Sequence, residues 1–168
     1  MSGMRADTGR GSRRLLTSVR EVRQAVIDVA DAAKRQLSIF SHDLEPAIYG
    51  HEDFIAVVTR LVLASRFARV RVLIADPVRA VKDGHEFVTL GRRLSSFIEF
   101  RHVLPEYREH VEAFCIADDQ GIVYRSLASS WSGIAAVRDP HAARKYLDVF
   151  NSIWHASDVE REFRRLHV

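Results

Sequence analysis

Arg125-Ser126-Leu127-Ala128-Ser129 joins one guanidinium to two hydroxyls within a single short segment, and Ser130 and Trp131 follow directly. An arginine fork with neutral hydroxyls and loop amides can hold a phosphate or a carboxylate, because charge, two-pronged geometry and directional donors come together. Two further polar clusters could contribute: Ser41, His42, Asp43 and Glu45 form one, and Asp76 with Arg79 forms the other. His42 beside Asp43 has the composition of an acid–base pair, yet Asx side chains favour turns and the turn is the simpler reading. Asp76 before Pro77 equally fits a helix N-cap, a role that contributes ~0.5–2 kcal/mol.

Other chemistries find no support. Ser126, Ser129 and Ser130 lack the Gly-x-Ser-x-Gly elbow of a serine hydrolase. None of the eight histidines is paired at i, i+4 with a third ligand nearby, so no metal is assigned, and no cofactor is called for. Cys115 is the only cysteine, which excludes a disulfide within the chain and a thiolate cluster, and it reads as a small core residue.

The elements that must position these residues are readable from periodicity and caps. Ser18-Val19-Arg20-Glu21 is a capping-box pattern, and Val19, Val22, Val26, Val29 and Ala33 recur at helical spacing, which predicts a helix over 17–34. A strand over 37–41 empties into the first polar cluster, a helix opens at Glu52 and Asp53, and a second strand over 69–75 ends at Asp76-Pro77. The helical region that follows runs to about Ser96, with Asp83-Gly84 as its break, and 97–103 alternates as a strand should. A hairpin comes next: Ala113, Cys115 and Ala117 point one way, Phe114 and Ile116 the other, and Ile122 to Tyr124 return. After a loop over 126–137, Asp139-Pro140 opens a final helix with Tyr146, Leu147, Phe150, Ile153 and Trp154 inward. This order predicts an α/β fold with a mixed, largely parallel sheet sandwiched by helices. Ligands in such sheets bind outside the carboxyl ends of the strands, where all three polar clusters fall.

The hairpin also carries a frame for chemistry. His110-Val111-Glu112, then Asp118 and the turn Asp119-Gln120-Gly121, resembles the signature of the phospholipase D superfamily, in which a strand bears His-x-Lys, four residues and Asp. With His110 as the histidine, Glu112 takes the lysine position and Asp118 arrives one residue late; with Asp118 as the acid, Val111 and Ala113 fall where His and Lys belong. Neither register supplies a working set. Phosphodiester transfer in that family needs a histidine nucleophile beside a lysine that neutralises charge on the non-bridging oxygens, and losing one such donor costs ~10²–10³ in rate. Asp43-Leu44-Glu45-Pro46, Ser65-Arg66-Phe67-Ala68-Arg69, Asp76-Pro77-Val78-Arg79-Ala80, Gly84-His85 and Arg125 to Ser129 are similar to a group of bacterial phospholipase D-like domains found alone or attached to acetyltransferase-like domains. The resemblance spans about 18–160. It implies one phospholipase D-like half-domain that has lost its chemistry and acts as a binding or interaction module, with a phosphate-bearing or other anionic ligand. It also implies a homodimer; alternatives are a dimeric phosphodiesterase or nuclease using His110 and Asp118, or a regulatory partner of an acyltransferase.

Composition bounds the rest. A chain of 168 residues with 47% hydrophobic content suits one core, so 15–168 are expected to form a single domain behind a disordered arm over 1–14. The formal charge is +3, and charged residues of both signs, 28% of the chain, are spread along it. No contiguous basic stripe with interleaved aromatics appears, so nucleic acid is not an expected partner. No apolar run reaches membrane-span or signal-peptide length, and a soluble cytoplasmic protein is expected. His85 reads as a helix-surface residue.

Overall fold

The computed structural model describes residues 12–159. Ser18 caps the first helix as its pattern requires: its Oγ accepts from the Glu21 amide at 3.1 Å, and Glu21 returns a carboxylate to the Thr17 and Ser18 hydroxyls. The elements in order are β1 Arg14–Leu16, α1 Val19–Asp31, β2 Gln36–Ser41, α2 Pro46–Tyr49, α3 Glu52–Ala64, β3 Arg69–Ile74, α4 Val78–Lys82, α5 Glu86–Arg93 and β4 Ile98–His102. There follow a 3₁₀ turn Pro105–Tyr107, β5 Ala113–Ala117, β6 Gly121–Arg125, β7 Gly133–Ala136, α6 Pro140–Ala156 and β8 Asp158–Val159. The expected break at Asp83-Gly84 separates α4 from α5, with Gly84 at φ +64°, a conformation open to glycine at no steric cost.

One eight-stranded sheet runs in the order β1-β7-β6-β5-β2-β3-β4-β8. It is mixed, as expected, but its parallel part is smaller than expected. Among the described residues two of the seven pairings, β2–β3 and β3–β4, are parallel, and the other five are antiparallel. Helical crossovers produce the parallel core, whereas β1, β7 and β8 are short additions with little hydrophobic periodicity to announce them. β7 lies inside the segment read as loop. Its Gly133 permits close approach to β6, since a Cβ there would fall 2.5 Å from the Tyr124 carbonyl oxygen. The arm expected over 1–14 ends inside β1: Arg14 pairs with Ala135, and the Arg13 guanidinium binds Asp139 at 2.7 Å. Residues 1–11 lie outside the described residues.

The two faces of the sheet bury separate cores. Leu37, Ile39, Val70, Val72, Cys115 and Val123 pack against α1 to α5, while Phe40, Leu73, Phe114, Ile116 and Ile122 pack against α6. The alternation expected for the hairpin is therefore obeyed, and it decides to which face of the sheet the residues from His110 to Asp118 point.

Candidate functional site

β5 runs antiparallel to β2, so its start lies at the carboxyl end of β2 and its finish at the amino end. His110 precedes the start and Asp118 follows the finish, and the five strand residues between them alone span on the order of 17 Å. They do not meet in one site. Asp118, at φ +55°, accepts three backbone amides: Lys34 at 3.0 Å and Arg35 and Gln36 each at 2.9 Å. It anchors the turn to the entry of β2. His110 is 40% exposed, with Nδ1 3.6 Å from a Glu112 oxygen, and the other Glu112 oxygen accepts from the Tyr124 hydroxyl at 2.5 Å. Burial and the neighbouring carboxylate push that hydroxyl well above its ordinary range.

A shift of one residue along a strand moves a side chain to the opposite face. His110 and Glu112 lie on the α6 face, where His110 meets the edge of Phe40 and Tyr124 stacks on Tyr146 at 4.4 Å. Ala113 shares the other face with Cys115, and its cross-strand partner is Arg125. The two registers of the motif thus address different sides of the sheet.

Arg125 is 3% exposed, and both of its terminal nitrogens are engaged. One terminal nitrogen donates to the carbonyls of Ala128 and Ser130, each at 3.0 Å, the other binds the Glu45 carboxylate, and the guanidinium carbon lies 4.8 Å from the Trp131 ring centroid. The second Glu45 oxygen accepts from Ser41 Oγ at 2.8 Å, and that hydroxyl oxygen accepts from the Leu44 amide at 2.9 Å. Leu44 is fully buried at φ +59°, a conformation unusual outside glycine that persists when its surroundings hold it from both sides. The second hold is His85, whose Nε2 donates to the Leu44 carbonyl at 2.8 Å while Nδ1 accepts from the Phe87 amide at 3.1 Å. His85 is therefore a buried cap of α5 and not a surface residue. Burial holds its pKa below the ordinary value, and the two bonds assign the neutral tautomer with the proton on Nε2.

The remaining candidates divide into two groups. Asp43 and Arg79 form an ion pair at 3.7 Å that links the ends of β2 and β3. His42 and Asp76 line an open depression of about 590 Å³ at the carboxyl ends of β2, β3 and β4, and Asp76 also accepts from the Val78 amide at 3.2 Å. Sequence reading missed the other two polar groups of this depression, His102 and Arg108. They lie on β4 and beyond the 3₁₀ turn, and an Arg108 terminal nitrogen is 3.1 Å from His102 Nε2. Ser126 and Ser129 are exposed on the loop after β6. Among the described residues there is no group of three or more metal-ligating side chains, and no helix is long and apolar enough to cross a membrane.

A mixed sheet covered on both faces, its parallel strands β2, β3 and β4 joined by helical crossovers, has a phospholipase D-like fold. Solved structures share it. The chain superposes on Nuc from Salmonella typhimurium, a phospholipase D family member, with a TM-score of 0.61 at 14% identity over 89% of this chain and 97% of that one. It matches NucT from Helicobacter pylori with a TM-score of 0.56 at 12% identity over 89% and 99%. The archaeal chromatin protein TrmBL2 matches with a TM-score of 0.65 at 12% identity over 95% of this chain, which spans 57% of the TrmBL2 chain. No curated protein matches. Residues 18–166 match the model of DUF7931, a domain of unknown function, and the chain belongs to that family.

Proposed function

We propose that this chain is a phospholipase D-like domain that does not carry out phosphodiester transfer and serves as a binding module for a small anionic ligand. The observation that carries this reading is the division of the motif between two faces. A phosphate approaching His110 meets the Glu112 carboxylate 3.6 Å from the imidazole, where transfer requires a cation. In the other register the lysine position is Ala113, and the room beside it is filled by Arg125, itself neutralised by Glu45.

The ligand surface in this reading is the depression holding His42, Asp76, His102 and Arg108. Arg108 is exposed and brings to this surface the positive charge that Arg125, closed over Glu45, does not offer, with its Nε on the Val103 carbonyl at 3.4 Å and one terminal nitrogen beside His102. The functional unit in this reading is a C2 homodimer, the commonest closed arrangement for a soluble oligomer. The test is hydrolysis of a chromogenic phosphodiester. Wild type and His110→Ala should both show the buffer rate; turnover by the wild type that disappears in His110→Ala would overturn the reading.

A further inference from the structure

The opposite end of the sheet, where β2, β3 and β4 begin, gathers residues distant in sequence. Lys34 and Arg35 precede β2, Arg66, Phe67 and Arg69 surround the entry to β3, and the Arg69 amide donates to the Arg35 carbonyl at 2.8 Å. Lys34, Arg35 and Phe67 line an open depression of about 750 Å³ together with Gln36, Asp118, Asp119 and Leu147. Phe67 is 55% exposed, the one aromatic ring among the exposed large hydrophobic side chains described. It is held out by its own loop, in which Ser65 Oγ accepts from the Phe67 amide at 3.1 Å. The guanidinium carbons of Arg66 and Arg35 lie 4.9 and 5.6 Å from its centroid, and that of Arg69 lies 6.0 Å from the ring of Phe97.

The electrostatics favour an anion: four cations stand beside two carboxylates, one of which is paired with Arg144. Among the described residues none of Lys34, Arg35, Arg66 and Arg69 is paired with a carboxylate. The two carboxylates in the depression are already engaged: Asp118 caps three amides, and Asp119 binds Arg144 at 3.1 Å. An exposed ring with two guanidiniums over it has the two components of single-strand recognition: the ring offers a base a stacking face once an arginine swings from it to a phosphate, and the cations follow the backbone. An acidic peptide would use the charges and leave the ring without a stacking partner. A duplex would keep its bases from the ring.

We propose that this edge of the sheet binds single-stranded nucleic acid, with a base stacked at Phe67 and successive phosphates on Lys34, Arg35, Arg66 and Arg69. The site is separate from the depression at the carboxyl ends and stands or falls without it. The experiment is fluorescence anisotropy of a labelled oligothymidylate of about 12 nucleotides, within the site sizes of single-strand binders, titrated with the full chain across a salt series. A blunt duplex of equal length and vesicles containing anionic lipid serve as competitors. Binding should weaken with salt at a log–log slope of about −3 for four phosphate contacts, and Arg35→Ala and Arg66→Ala should each reduce that slope by about 0.7. Phe67→Ala should weaken binding about 5- to 150-fold with the slope unchanged, and Phe67→Trp should retain it. Circular dichroism confirms that each variant is folded. Absence of binding at low salt, equal affinity in folded Phe67→Ala, or displacement by duplex or vesicles as effective as by unlabelled single strand would overturn the proposal.

Discussion

Replacing Arg125 with alanine tests whether the buried polar cluster of Arg125, Glu45 and Ser41 is structural. The substitution removes a guanidinium that is 3% exposed and leaves the Glu45 carboxylate, 13% exposed, with the Ser41 hydroxyl as its remaining partner. The carbonyls of Ala128 and Ser130 lose their shared donor at the same time. Breaking a buried ion pair from one side costs ~3–5 kcal/mol, much of it the stranded charge, whereas replacing both partners is often nearly neutral. Arg125→Ala should therefore destabilise the domain by ~3–5 kcal/mol, which for a urea m-value of ~2 kcal/mol/M moves the midpoint down by about 2 M. Arg125→Met combined with Glu45→Met should recover most of that loss. Trp131, stacked on the guanidinium, reports the transition by fluorescence. A loss below ~1 kcal/mol, together with a phosphate-induced thermal shift present in wild type and absent in Arg125→Ala, would refute the structural role and return Arg125 to the ligand.

Three further outcomes follow from the same geometry. His85 is held below its ordinary pKa of 6.5, so the unfolded chain takes up the proton first as pH falls. Its contribution to stability should be complete above about pH 6.5 and should decline as pH drops through that value toward the lowered native one; urea midpoints at several pH values should show a slope that His85→Gln flattens. Asp118→Ala loses the acceptor of three exposed amides and forces alanine to φ +55°, costing ~1–3 kcal/mol, while Asp118→Asn should lose less because asparagine tolerates that conformation; both are read from urea midpoints. Burial pushes the Cys115 thiol up to about 12, so a thiol reagent at neutral pH should react only at the rate of unfolding, and fast labelling of native protein would contradict its place in the core.

Much of the fold was legible because local signals and tertiary demands agree. The Ser18 capping box, the Asp139 cap of α6, the Asp83-Gly84 break and the alternation in β5 all appear where the residues indicate. The short strands β1, β7 and β8 were not legible, since strands of two to four residues take their identity from neighbours and not from periodicity. The candidate site divides in the same way. Its residue types were recognisable, but the pairing of Arg125 with Glu45, 80 residues away, depends on β2 and β6 flanking β5. His102 and Arg108 carry no motif and enter the depression only through the path of β4 and the turn after it. The cationic edge around Phe67 was hidden for a related reason, because its members lie in two segments about 30 residues apart that the parallel pairing of β2 and β3 aligns.

The separation of the two registers bears on what it would take to build a His-x-Lys pair on this sheet. Glu112→Lys would complete the pair with His110, yet it would deliver a cation to the α6 side, next to the Tyr124–Tyr146 stack, and leave the Arg125 side unchanged. Repair in the register of Asp118 requires histidine at Val111 and lysine at Ala113, and the new ammonium would then stand directly across from the Arg125 guanidinium, with like charges opposed on neighbouring strands. Each register would therefore have to be completed on its own side of the sheet.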